Sequence, residues 1–105
     1  MFDFLKKIFG GSSSVDYKVL ISQGAVIVDV RTPVEFKSGH IKGAVNIPLD
    51  QVKSKVADLK KKGKPIIACC RSGNRSGMAK GILTSAGIEC YNGGAWNRLN
   101  NKISQ

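Results

Sequence analysis

The sequence predicts an α/β fold: a three-layer sandwich in which a mainly parallel sheet lies between short helices. Two observations carry this expectation. Segments 25–30 and 65–69 are almost unbroken apolar runs, the mark of parallel strands buried on both faces. Stretches with helical spacing alternate with these strand-like runs along the chain, the order that parallel sheets need for their crossovers.

Taken in order, residues 2–9 place Phe2, Leu5 and Phe9 on one side of a short amphipathic segment, with Lys6 and Lys7 elsewhere. Gly10-Gly11-Ser12-Ser13-Ser14 then reads as a flexible linker. Residues 1–14 are therefore expected to form an appendage to one domain, 15–105, because 105 residues support a single core. In 16–23, Tyr17, Leu20 and Ile21 are spaced for a helix that Gly24 stops. Residues 25–30 form the first clear strand. Thr32 suits the N-cap of a helix over 33–38, with Pro33 at its first position. Residues 43–47 read as a short strand stopped by Pro48. Asp50 is expected to cap the next helix, in which Val52, Val56 and Leu59 keep a 3.6-residue period until Gly63. Strand 65–69 follows, then a helix with Met78, Ile82 and Leu83 on its inner face, ended by Gly87. Residues 88–91 form the last strand, and 96–100 a closing turn or helix.

Seventeen Lys and Arg against seven Asp and Glu give a net charge of +10, densest at Lys60-Lys61-Lys62-Gly63-Lys64. Such a surface attracts small anions and acidic partners. No aromatic and basic platform accompanies the lysines, so nucleic acid is not expected as a partner. No apolar stretch approaches the ~20 residues that cross a bilayer, and the N-terminus lacks the pattern of a secretory signal. A cytoplasmic, monomeric protein is expected. Three cysteines, two of them adjacent, agree with a reducing compartment. The one histidine, His40, leaves no set with zinc spacing, so no metal or other cofactor is expected.

The chemistry concentrates in Cys70-Arg71-Ser72-Gly73-Asn74-Arg75-Ser76, which reads as strand end, tight loop and helix start. Such a loop aims backbone N–H groups at one point, and the helix behind it presents the positive end of its dipole. A cysteine held there has a depressed pKa and is nucleophilic as the thiolate, in an electropositive and partly exposed setting. Gly73 lets the loop take backbone angles closed to other residues. Arg71 and Arg75 can bind an anion with paired hydrogen bonds. Ser72 and Ser76 can add hydroxyl donors, and Ser76 can also cap the helix. Cys69 alternates to the other side of the strand and is expected to be a core thiol.

This loop resembles the active-site loop of the rhodanese (sulfurtransferase) family. A second stretch agrees: Val28-Asp29-Val30-Arg31-Thr32-Pro33-Val34-Glu35-Phe36, then Gly39-His40-Ile41-Lys42-Gly43-Ala44-Val45-Asn46-Ile47-Pro48. The resemblance covers roughly residues 15–98. It implies a five-stranded sheet, the extra short strand coming from 13–16. It also implies sulfane sulfur transfer from a small anionic donor such as thiosulfate to cyanide or a thiol, through a persulfide on Cys70. The rest of the loop, Arg71 to Ser76, would bind the donor. Asp29 is expected in a network that fixes the loop. Arg31 either joins that network or faces the pocket. His40 is expected to be structural, because a preformed thiolate needs no base. Two rival readings stay open. Cys69, five residues, Arg75 and then Ser76 has the spacing of a cysteine-dependent phosphatase, although Ala68 stands where such phosphatases resemble one another in having histidine. The chain could also serve as a non-catalytic binding module or as a sulfur carrier to an acidic acceptor protein.

Overall fold

Asp16 accepts a hydrogen bond from the Val19 amide at 3.2 Å and so opens α1, Tyr17–Ser22. The structure, a computed structural model, describes residues 15–104. Gly24, at φ +98°, turns the chain into β1, Val26–Asp29. Thr32 caps α2, Pro33–Ser38, in a reciprocal capping box with Glu35. A two-residue β2, Val45–Asn46, is followed by a 3-10 turn, Leu49–Gln51, and then α3, Val52–Lys62. The strand β3, Ile66–Cys70, leads into α4, Asn74–Ser85. The chain closes with β4, Cys90–Ala95, and α5, Trp96–Ser104.

All strand pairs are parallel, in the order β2-β1-β3-β4. On one face Val52 and Leu59 of α3 and Ala79 and Leu83 of α4 pack on Val28, Val30, Ile66, Ala68 and Cys70. On the other, Leu20 of α1 and Leu99 of α5 pack on Ile27, Ile67 and Cys69. The three-layer sandwich is thus the predicted one. Alternation along β3 sends Cys69 and Cys70 to opposite layers. All three cysteines are free thiols. Among the described residues no helix is long and apolar enough to cross a membrane.

Three expectations need correction, and a fourth lies outside the described residues. The described residues hold four strands, not five: at the described end of 13–16, Asp16 is already capping α1. The expected N-terminal segment and linker, 1–14, lie outside the described residues. Asp50 caps nothing, because the Gln51 amide bonds the Pro48 carbonyl at 2.8 Å and draws Asp50 into the 3-10 turn. Met78 is 61% exposed. Starting α4 at Asn74 sets its phase, so Ser76, Ala79 and Leu83 face inward. The last strand and closing helix also run longer than predicted, past 91 and past 100.

A bulge in β4 shapes the sheet edge. Ala68 pairs with Asn92 but Cys69 pairs with Gly94, leaving Gly93 as the extra residue. A Cβ on Gly93 would lie 2.9 Å from Leu99, 3.0 Å from Ile67 and 3.1 Å from the Ala68 carbonyl, so only glycine fits.

Candidate active site

Cys70 is the last residue of β3, at the carboxyl end of a strand inside the sheet, where parallel α/β folds place their sites. Gly73, at φ +103°, is the N-cap of α4 and folds the loop back over the sulfur. Cys70 Sγ receives the Gly73 amide at 3.0 Å and the Ser76 amide at 3.4 Å, and lies 3.3 Å from Ser76 Oγ. Burial alone would raise this thiol's pKa. The Ser76 hydroxyl, followed by the amides of Ser76, Gly73 and Ser72, overcomes that and holds it below the ordinary value. The converging backbone donors are thus those of Ser72, Gly73 and Ser76, with the Ser76 hydroxyl beside them. The expected partial exposure is also corrected: Cys70 is 1% exposed, because the short loop closes on the sulfur.

Cys69 has the opposite setting. It lies in the core on the other face, and burial, reinforced by the Asp29 carboxylate, pushes its thiol up to about 12. In this arrangement the amide cradle serves position 70, and the phosphatase register starting at Cys69 has no cradle.

Ser76 does not cap the helix. Its hydroxyl faces both Cys70 Sγ and Asn92 Oδ1, the latter at 2.7 Å. Asn92 is a residue that the sequence reading missed. Its Nδ2 donates to the Gly73 carbonyl at 3.0 Å and its Oδ1 accepts from the Gly94 amide at 3.0 Å, so one side chain ties the loop to the β4 bulge. The available signal was an asparagine beside two glycines inside a strand, a composition strands disfavour.

Arg71, Ser72 and Asn74 are exposed at the mouth of the loop. Arg75 makes an ion pair. Its Nη1 and Nη2 donate to Glu35 Oε1 and Oε2 at 2.8 and 3.0 Å. The Arg75 guanidinium and the Thr32 amide hold the Glu35 carboxyl down to about 2. Glu35 is the second residue missed: its place three after Thr32 marks a capping box, but its partner lies 40 positions away.

Asp29 and Arg31 form a buried pair. Arg31 Nε donates to Asp29 Oδ1 at 2.9 Å and Nη2 to Oδ2 at 2.7 Å, while Nη2 also reaches the Gly39 carbonyl at 2.6 Å. The guanidinium lies 4.7 Å from the Trp96 ring centroid. Asn46 Nδ2 donates to the carbonyls of Asp29 and Arg31. Arg31 is 4% exposed, with Nε and Nη2 both hydrogen-bonded into this network. His40 donates from Nδ1 to the Phe36 carbonyl and stacks on the Phe36 ring, which suits a structural role.

A parallel α/β sandwich with an amide-cradled cysteine at the end of an inner strand defines a cysteine-loop domain. The Rhodanese-like domain family model matches residues 13–97, and the chain belongs to that family. It is 44% identical over 69 residues to the uncharacterized protein YqhL of Bacillus subtilis (strain 168), covering 65% of this chain and 54% of the relative. It is 39% identical over 61 residues to thiosulfate sulfurtransferase PspE of Escherichia coli (strain K12), covering 57% of this chain and 59% of the relative. The chain therefore spans between half and three-fifths of the length of these two relatives. A solved structure, the rhodanese with anions from E. coli, matches at TM-score 0.65 and 34% identity, over 70% of this chain and 89% of that one.

Proposed function

We propose that this chain is a sulfurtransferase that carries sulfane sulfur as a persulfide on Cys70. The observation that carries the reading is the set of donors on Cys70 Sγ, the Gly73 and Ser76 amides and the Ser76 hydroxyl. These groups stabilise a thiolate and equally a persulfide anion. The thiosulfate sulfurtransferase named among its relatives supports thiosulfate as the assay donor.

The Cys70 thiolate attacks the outer sulfur of thiosulfate. A new S–S bond forms, the old one breaks, and sulfite leaves with the electron pair. The terminal sulfur of the persulfide is then taken by a thiophile. Cyanide leaves as thiocyanate, or a thiolate leaves as a persulfide, and the Cys70 thiolate returns. No general base is required. Arg71, exposed at the mouth, is placed to meet the sulfonate group, and the N-terminus of α4 adds its dipole. Because the loop covers Cys70, the exposed turn at 71–72 must yield to admit the donor. The basic surface favours anionic donors and suits an acidic acceptor protein.

The test is steady-state transfer from thiosulfate to cyanide. Cys70→Ser is expected to lose activity to background, while Cys69→Ser keeps most of it. Loss with Cys69→Ser alone, or phosphate-ester hydrolysis dependent on Cys69, overturns the reading.

A further inference from the structure

We infer that Glu35 is a donor-selectivity residue: by gripping Arg75 beside the Cys70 loop, it withholds that arginine from dianionic donors. The inference rests on the sulfurtransferase reading for its substrate, but its geometry stands independently.

Four observations lead here. Arg75 belongs to the loop's own helix start, five residues after Cys70 and next to Ser76, whose amide and hydroxyl meet the sulfur. Each of its two terminal nitrogens donates to the Glu35 carboxylate, a paired geometry in which a guanidinium can also take a sulfonate. Glu35 is itself held from behind, where Oε1 accepts the Thr32 amide at 2.9 Å and the Thr32 hydroxyl at 3.1 Å. The carboxylate therefore cannot swing away without losing its half of the capping box of α2. Finally, Arg71 forms no ion pair among the described residues, so the mouth presents one unpaired arginine instead of two.

The consequence is a division between long range and short range. The net charge of +10 draws anions toward the molecule. At the loop, Glu35 cancels one cation and repels the second negative charge of a dianion. A neutral reagent feels neither effect. The side chains of Arg75 and Glu35 are 32% and 29% exposed, and such pairs are held weakly, so the selectivity is graded and not absolute. Removing one charge at this range should alter dianion affinity about three- to tenfold at moderate salt.

The experiment uses the full chain and a readout separate from turnover. Cys70 is alkylated with neutral iodoacetamide, and sulfate, a dianion with no transferable sulfur, is titrated as protectant at constant ionic strength. Glu35→Gln preserves the acceptor for the Thr32 amide, since glutamine also completes a capping box. Its half-protecting sulfate concentration should fall about three- to tenfold. In the double variant Glu35→Gln/Arg75→Gln the gain should vanish. Glu35→Ser, which removes the carboxylate with a smaller side chain, should shift protection in the same direction as Glu35→Gln. The thiosulfate KM of Glu35→Gln should fall by the same factor with kcat within about twofold. An unchanged or raised half-protecting concentration in both single variants overturns the inference, as does a gain that persists without Arg75. If the wild-type chain fails to turn over thiosulfate while sulfate protection follows the stated order, the transfer reading falls and the Glu35 assignment stands.

Discussion

At Cys70 two opposing effects meet on one atom. Burial favours the neutral thiol, and donors from Ser76, Gly73 and Ser72 favour the thiolate; the donors win. Ser76 has one hydroxyl proton and two acceptors, Asn92 Oδ1 at 2.7 Å and the sulfur at 3.3 Å. A thiolate can draw that proton toward itself, while a thiol can donate to the oxygen. The alkylation rate of Cys70 should therefore rise with pH and reach half its plateau below the ordinary thiol pKa. Ser76→Ala removes a bond to a charged group, worth about 1.5 kcal/mol, and should shift that profile upward. Alkylation near pH 7 should slow roughly tenfold. A profile in Ser76→Ala that matches wild type would remove the hydroxyl from the account. Cys69 and Cys90, pushed up to about 12 and about 11 by burial, should contribute little to the signal.

At the scale of elements, the loop depends on how β3, α4 and β4 meet. The Gly93 bulge brings Asn92 beside Ser76 and the Gly73 carbonyl. Gly93→Ala forces a methyl against Leu99, Ile67 and the Ala68 carbonyl, and should destabilise the domain by about 1–3 kcal/mol in denaturant unfolding. Unaltered stability would mean that the bulge is plastic. These contacts also explain what the sequence could and could not disclose. The Cys70 loop was readable because its parts are contiguous: a buried strand, a glycine that takes φ +103° and a helix start. The Thr32 cap and the Gly24 stop were readable for the same reason. Asn92 with Ser76, 16 positions apart, and Glu35 with Arg75, 40 apart, exist only through tertiary packing. Met78 and Asp50 were misplaced because local turns, not the hydrophobic period, set where their elements begin.

Across the whole molecule, the two apolar layers separate the adjacent cysteines. One layer takes Cys69, whose thiol burial pushes up to about 12, and the other takes Cys70 at the end of β3, before the start of α4. The buried Asp29–Arg31 pair, braced by Gly39, Asn46 and Trp96, ties down the end of β1, the strand beside β3. The chain carries a net charge of +10, a sign that attracts anions. The most direct test of the central claim is intact-protein and peptide mass spectrometry after brief exposure to thiosulfate. The account predicts a gain of one sulfur atom, located on Cys70 and removed by cyanide. A protein that gains no sulfur, or gains it on Cys69 or Cys90, would contradict it.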